Sequence, residues 1–209
     1  MREQQSPLTK RVMSTAVTTH PGWLRVTHWV NAVAFLVMVT SGWRIYNASP
    51  LFQFEFPRSF TLGGWLGGAL LWHFAGMWLL VANGIFYVVM SLATGRFRRQ
   101  LFPLRWVDLR SDFTAALQGR LAHDDITRFN AVQKLAYLFA LGALILEILS
   151  GLVVFKSVQF QGLAWLLGGY DSARVVHFVC MTGLSAFLLI HVLAAVAVPK
   201  TILAMVRGH

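Results

Sequence analysis

The stretch VVHFVCMTGLSAFLLIHVLAAVAV (175–198) decides the fold. It is apolar enough to cross a membrane, and it carries His177 and His191, fourteen residues apart. On an α-helix that spacing is close to four full turns, so both imidazoles share one face. The rise between them is about 21 Å, most of the hydrocarbon thickness of a bilayer. One helix therefore offers one imidazole towards each membrane surface. Working outward, His28 opens a first apolar segment and His73 lies in a second. Two neighbouring helices could each complete one pair. This is the geometry for two stacked, bis-histidine haems forming an electron path through a membrane.

Composition agrees with that setting. The 209-residue chain is 56% hydrophobic and only 12% charged, whereas soluble domains carry about 25% charged residues. The pattern predicts an all-α integral membrane four-helix bundle forming a single domain over residues 1–209. Its spans are expected at about 29–46, 66–92, 135–155 and 175–198, each near the length needed to cross. The basic flank and apolar stretch of the first span imitate a signal peptide. Because it carries His28, it is read as a retained span. The net charge of +10 would suggest nucleic acid in a soluble protein. Here the charges flank apolar spans, so they are read as topology signals and nucleic acid is not an expected partner.

The basic residues fix an expected orientation. The N-terminal arm, the loop between spans two and three, and the tail hold fourteen lysines and arginines, against four (Arg44, Arg58, Lys156 and Arg174) on the other side. The positive-inside rule puts both termini in the cytoplasm, with the chain multi-pass in a bacterial inner membrane. His28 and His191 then lie towards the cytoplasm, and His73 and His177 towards the outside. Depth pairs His73 with His177 and His28 with His191. A histidine in a span could instead be a packing residue or a proton relay. Four of them, split two and two by depth, favour ligands. His20, His123 and His209 lie in polar segments and are expected to be ordinary solvated residues.

Other features complete the reading. The single cysteine, Cys180, rules out an intrachain disulfide and covalent C-x-x-C-H haem attachment, so any haem is held non-covalently. Gly42 and Gly151 each follow a serine near the end of a span, and glycines cluster around His73. Such residues let a helix approach a flat ring or another backbone. Trp106, Leu109, Phe113, Leu117 and Leu121 predict a short amphipathic helix on the inner face. Outside, the alternating Phe52, Phe54 and Phe56 and the stretch around Trp165 are read as interfacial segments, as an aromatic belt, as a partner platform, or as both.

The runs HPGWLRVTHWVNAVAF (20–35), GGWLGGALLWHF (63–74), FNAVQKLAY (129–137) and YDSARVVHF (170–178), with His191, resemble the four-helix di-haem b-type cytochrome family. That family includes membrane subunits of nickel–iron hydrogenases, formate dehydrogenases and thiosulfate reductases. The closer similarity is to members serving molybdopterin-dependent oxidoreductases. The resemblance covers nearly the whole chain. It implies two non-covalent haem b groups with His28, His73, His177 and His191 as iron ligands, an exchangeable quinone, and a periplasmic oxidoreductase partner that the chain anchors. It also points to Asn130, Gln133 and Lys134 as quinone-site residues. Without the resemblance, the residues read as a helix cap at Asn130 and a snorkelling lysine at Lys134.

Arg25 precedes His28 by three residues, and Arg174 precedes His177 by three; each is expected to meet a haem propionate. Glu147 lies among apolar residues of span three, where a carboxylate marks function. The leading expectation is an electron-transfer subunit between the quinone pool and a periplasmic oxidoreductase. One alternative is a stand-alone oxidoreductase using a small external substrate such as superoxide, drawn in by Arg58, Lys156 and Arg174. A third is a transporter or proton channel that uses the histidines without haem.

Overall fold

The computed structural model describes residues 20–96, 98, 110, 112, 114 and 131–208. Among these residues there are helices and connecting turns and no strand. The helices are α1 (Gly22–Tyr46), α2 (Leu66–Ala93), α3 (Ala131–Lys156), α4 (Gln161–Leu166), α5 (Tyr170–Ala197) and α6 (Pro199–Arg207). A single 3-10 turn, Arg58–Phe60, lies between α1 and α2. Four of the helices, α1, α2, α3 and α5, are long and apolar enough to cross a membrane. Asn130 and the amphipathic pattern from Trp106 to Leu121, apart from Arg110, Asp112 and Thr114, lie outside the described residues.

The spans start earlier than the hydropathy suggested. α1 begins at Gly22 rather than 29 and α5 at Tyr170 rather than 175, and the described part of α3 is already helical at Ala131, ahead of 135. The reason is capping chemistry, which hydropathy does not weigh. Pro21 is extended, and its carbonyl accepts the N–H groups of Leu24 and Arg25 at 3.0 and 3.3 Å. Asp112 accepts the Ala131 N–H at 2.7 Å, closing the first turn of α3. The entry to α2 needs glycine at Gly63. Its φ is +104°, and a Cβ there would overlap the backbone of Ala69.

The helices bury small residues and turn large ones outward. Ala34, Ser41, Ala69, Ser150, Val153 and Ala173 are fully enclosed. Val26, Leu71, Trp78, Ile85, Leu189 and Ile190 are among the large apolar side chains left exposed. This pattern suits packing in lipid, where no hydrophobic force separates a helix from its solvent and close backbone approach decides association. α1 packs along α2 and α3 along α5. On α2, a Cβ at Gly76 would come within 3.1–3.2 Å of Val37 and Met38 of α1. The two helices also share a polar tie, in which the Asn83 amide donates to the Thr27 carbonyl at 2.9 Å and to Asn31 Oδ1 at 2.6 Å.

Ala140, Ala143 and Leu184 form an apolar layer with Phe35, Leu144 and Phe187 around them. Beyond the end of α1, Asn47 exchanges two hydrogen bonds with the backbone of Phe56, at 2.7 and 2.9 Å. The fold-back stacks Trp43 on Phe56 (4.7 Å) and gathers Tyr46, Phe52 and Phe54 on Phe178. The alternating phenylalanines are therefore an aromatic cap against the residue that follows His177.

Candidate functional site

Four imidazoles meet in two pairs. His73 on α2 and His177 on α5 have ring centroids 6.4 Å apart. His28 on α1 and His191 on α5 are 6.0 Å apart. The pairs sit symmetrically. His73 and His177 each lie seven positions after the start of their helix, and His28 and His191 each lie six positions from a helix end. His28 is thus inside α1 rather than at its opening, which removes the depth mismatch that a span starting at 29 would create.

The His73–His177 pair is oriented from behind by a device that occurs twice. Ser41 of α1 donates its hydroxyl to the Val37 carbonyl, and His73 Nδ1 lies 3.1 Å from both Ser41 Oγ and the Met38 carbonyl. On α3, Ser150 donates to the Leu146 carbonyl at 2.6 Å. His177 Nδ1 lies 3.1 Å from Ser150 Oγ and 3.0 Å from the Glu147 carbonyl. A carbonyl oxygen can only accept, so each Nδ1 carries the hydrogen and each Nε2 keeps its lone pair for another partner. A glycine follows each serine. A Cβ at Gly42 would lie 3.5 Å from His73 Cε1, and one at Gly151 would lie 3.1 Å from His177 Cε1. Serine fixes the ring edge while glycine makes room for it. The serines as ring holders escaped the sequence reading.

The His28–His191 pair is framed differently. Trp29 meets His28 edge-on at 5.4 Å, and Phe187 stacks on His191 at 5.9 Å and 15°. Tyr137 meets Phe187 at 6.3 Å. A line of ring contacts therefore runs from α3 to His191. Gln133 and Lys134 lie in the first turn of α3, one turn before Tyr137.

The expected arginines hold backbone. Arg25 donates to the Val206 carbonyl at 2.8 Å, tying α6 to α1, and its Nε is buried without a partner. Arg174 donates to the carbonyl and hydroxyl of Ser49, at 2.5 and 3.2 Å. Glu147 Oε1 stands 3.2 Å from His177 Nε2, while Oε2 is buried and unpartnered. His20 differs from the expectation of a solvated residue. It is half-buried, its Nδ1 is closed off without a partner, and burial and the neighbouring Arg96 and Arg25 hold its pKa below the ordinary value.

Whether two imidazoles fit an iron can be tested on their spacing. An imidazole nitrogen bound to a metal lies about 2.0–2.1 Å from it, and the ring centre lies about 1.1 Å further back. Two axial rings on opposite sides of one iron then stand about 6.3 Å apart, centre to centre. The observed 6.4 and 6.0 Å match that span. Among the described residues no group of three or more His, Cys, Asp or Glu could hold a bare metal ion. The pairs therefore suit a group that brings its own equatorial ligands. At the His73–His177 pair, Glu147 Oε1 occupies His177 Nε2 and would have to release it for such a group to bind.

No solved structure matches this chain. It is 53% identical over 190 residues to YedZ1 of Azospira oryzae, which is named as a candidate protein-methionine-sulfoxide reductase subunit; the alignment covers 91% of this chain and 96% of that protein. The family described as prokaryotic cytochrome b561 matches residues 19–208. With four apolar helices and this match, the protein is multi-pass in a bacterial inner membrane. The chain belongs to the prokaryotic cytochrome b561 family, membrane proteins of the b-type haem class.

Proposed function

We propose that this protein binds two b haems and passes electrons from membrane quinol to a periplasmic oxidoreductase that it anchors. The observation that carries the reading is the pair of imidazole spacings, 6.0 and 6.4 Å, at two matched depths. His28 and His191 would hold the inner haem, and His73 and His177 the outer. A bound b haem supplies a reversible one-electron iron couple. The chain's own residues orient the imidazoles, and the Ala140–Ala143–Leu184 layer keeps water from the space between the pairs. Arg25 and Arg174 lie one turn from His28 and His177 and hold the backbone of Val206 and Ser49, which braces the helix segments that carry the two imidazoles. The orientation has both termini in the cytoplasm.

The partner is proposed from the relative. Its name assigns it to protein-methionine-sulfoxide reduction. The sequence resemblance points to a molybdopterin-dependent enzyme. Together they suggest that electrons leave the outer pair for a molybdenum enzyme repairing oxidised methionine. The stand-alone reading, with a small anion arriving at the outer pair, is less supported. Arg174 is engaged with Ser49, and the Phe52–Phe54–Phe178 stack covers that end.

The deciding measurement is stoichiometry. A pyridine haemochrome assay with protein determination is expected to give two non-covalent b haems per chain. One haem in fully loaded protein would break the scheme, and none would revive the transporter reading.

The quinone is proposed to exchange at the first turn of α3, near Gln133, Lys134 and Asn130, because the Tyr137–Phe187 line connects that turn to His191. Gln133→Ala is expected to leave the haem spectrum unchanged and to slow haem reduction by a quinol analogue several-fold, since one hydrogen bond contributes about 0.5–1.5 kcal/mol. Unchanged kinetics in a triple Asn130, Gln133 and Lys134 variant would move the site elsewhere.

A further inference from the structure

The cytoplasmic end of α1 carries a cationic cluster that electron transfer does not use. His20 lies just before α1, with Arg96 and Arg25 close enough to act on its charge. Its Nδ1 and the Nε of Arg25 are both shut away from water without a protein partner. Buried polar atoms of this kind are costly unless something meets them. Below the cluster, α1 and α6 enclose a groove of about 560 Å³, lined by Gly22, Arg25, Val26, Trp29, Val30 and Val206. Apart from Arg25 its walls are apolar. Val26, Trp29 and Val206 are among the exposed large hydrophobics, so the groove faces the lipid side of the helices.

We propose that this end of the protein is a binding site for one anionic phospholipid, with its phosphate on Arg96, His20 and the free edge of Arg25 and an acyl chain along the α1–α6 groove. It rests on the orientation proposed above, which places the cluster at the cytoplasmic leaflet. Charge complementarity selects the occupant. Anionic lipids enrich that leaflet, and each basic residue near it adds roughly fivefold to binding. The groove explains why a lipid rather than a free phosphate is the natural ligand: the phosphate-binding groups open directly onto an apolar channel. α6 contributes as an interfacial helix, with Lys200 and Arg207 near its ends and Arg25 holding it through Val206.

Two variants test the head and the chain separately. Arg96→Gln removes charge from the cluster. Gly22→Leu fills the groove mouth, and the space exists, because a Cβ there meets only Arg25 Nη2, at 3.9 Å. Native mass spectrometry of the full-length protein, with phosphatidylglycerol and phosphatidylcholine added in equal amounts, reads retained lipid. The expected result is one retained phosphatidylglycerol, a roughly fivefold weaker preference in Arg96→Gln, and loss of lipid in Gly22→Leu, with haem content unchanged in both. Equal retention of the two lipids would overturn the proposal. So would displacement of the lipid by millimolar inorganic phosphate with no effect of Gly22→Leu, which would mark a free-phosphate site. Loss of haem in Arg96→Gln with lipid retained would assign the cluster to a haem carboxylate instead.

Discussion

Protein carrying His73→Ala is expected to lose one haem and keep the other, and His177→Ala is expected to lose that same haem. The two rings lie 6.4 Å apart on different helices, so under the proposed scheme each would supply one ligand to the same haem. Removing either would leave that haem with a single protein ligand and loosely held. His28→Ala and His191→Ala should remove the other haem by the same logic. Haem content should fall from two per chain to one in every single variant. A redox titration should show one transition missing, the same one within each pair. If His28→Ala and His73→Ala abolish the same transition, the depth pairing is wrong and α1 and α2, already in contact, share a haem. A double variant across pairs, His73→Ala with His28→Ala, is expected to be haem-free. That variant also tests whether the two sites assemble independently across the apolar layer of Ala140, Ala143 and Leu184.

The pairing was legible because it follows from two periodicities that survive without tertiary knowledge: helical rise, which sets His177 against His191, and the alternation of direction between successive spans. The chain reading failed where contacts between helices decide. HPGW looked like an approach to a span that starts later, yet Pro21 has no N–H to lose and its carbonyl starts α1 at Gly22. The serine–glycine pairs at 41–42 and 150–151 were visible as small residues. That the serine hydroxyls, with the carbonyls of Met38 and Glu147, reach an imidazole on another helix depends on interhelical register, which no single-helix pattern encodes. His20 was misread for the same reason. A histidine beside proline and glycine looks solvated until Arg96, arriving from the end of α2, is set beside it.

Gly151→Leu is expected to abolish the outer haem while the inner one remains. The argument rests on the difference between two glycines in equivalent places. Both lie inside helices, where replacing glycine with alanine gains up to about 1 kcal/mol of propensity. At Gly42 a Cβ would sit 3.5 Å from His73 Cε1, an ordinary contact. Gly42→Ala should therefore keep both haems and stabilise the protein slightly. At Gly151 the same atom would sit 3.1 Å from His177 Cε1 and 3.5 Å from Nδ1. His177 has little freedom to retreat, because the Glu147 carbonyl and Ser150 hydroxyl pin Nδ1. Gly151→Ala should push the ring by a few tenths of an ångström, a shift on the scale of a close van der Waals contact. Its measure is a displaced midpoint of the outer transition with two haems retained. Leucine adds three more carbons to the same spot. Overpacking of that size typically costs about 1–3 kcal/mol, and the nearest relief is rotation of the imidazole away from its partner. Haem content of about one per chain, with the inner transition unmoved, is the expected reading. Two haems with an unshifted outer midpoint in Gly151→Leu would show that His177 is not held against α3 when haem is bound, and the serine–glycine device would lose its role.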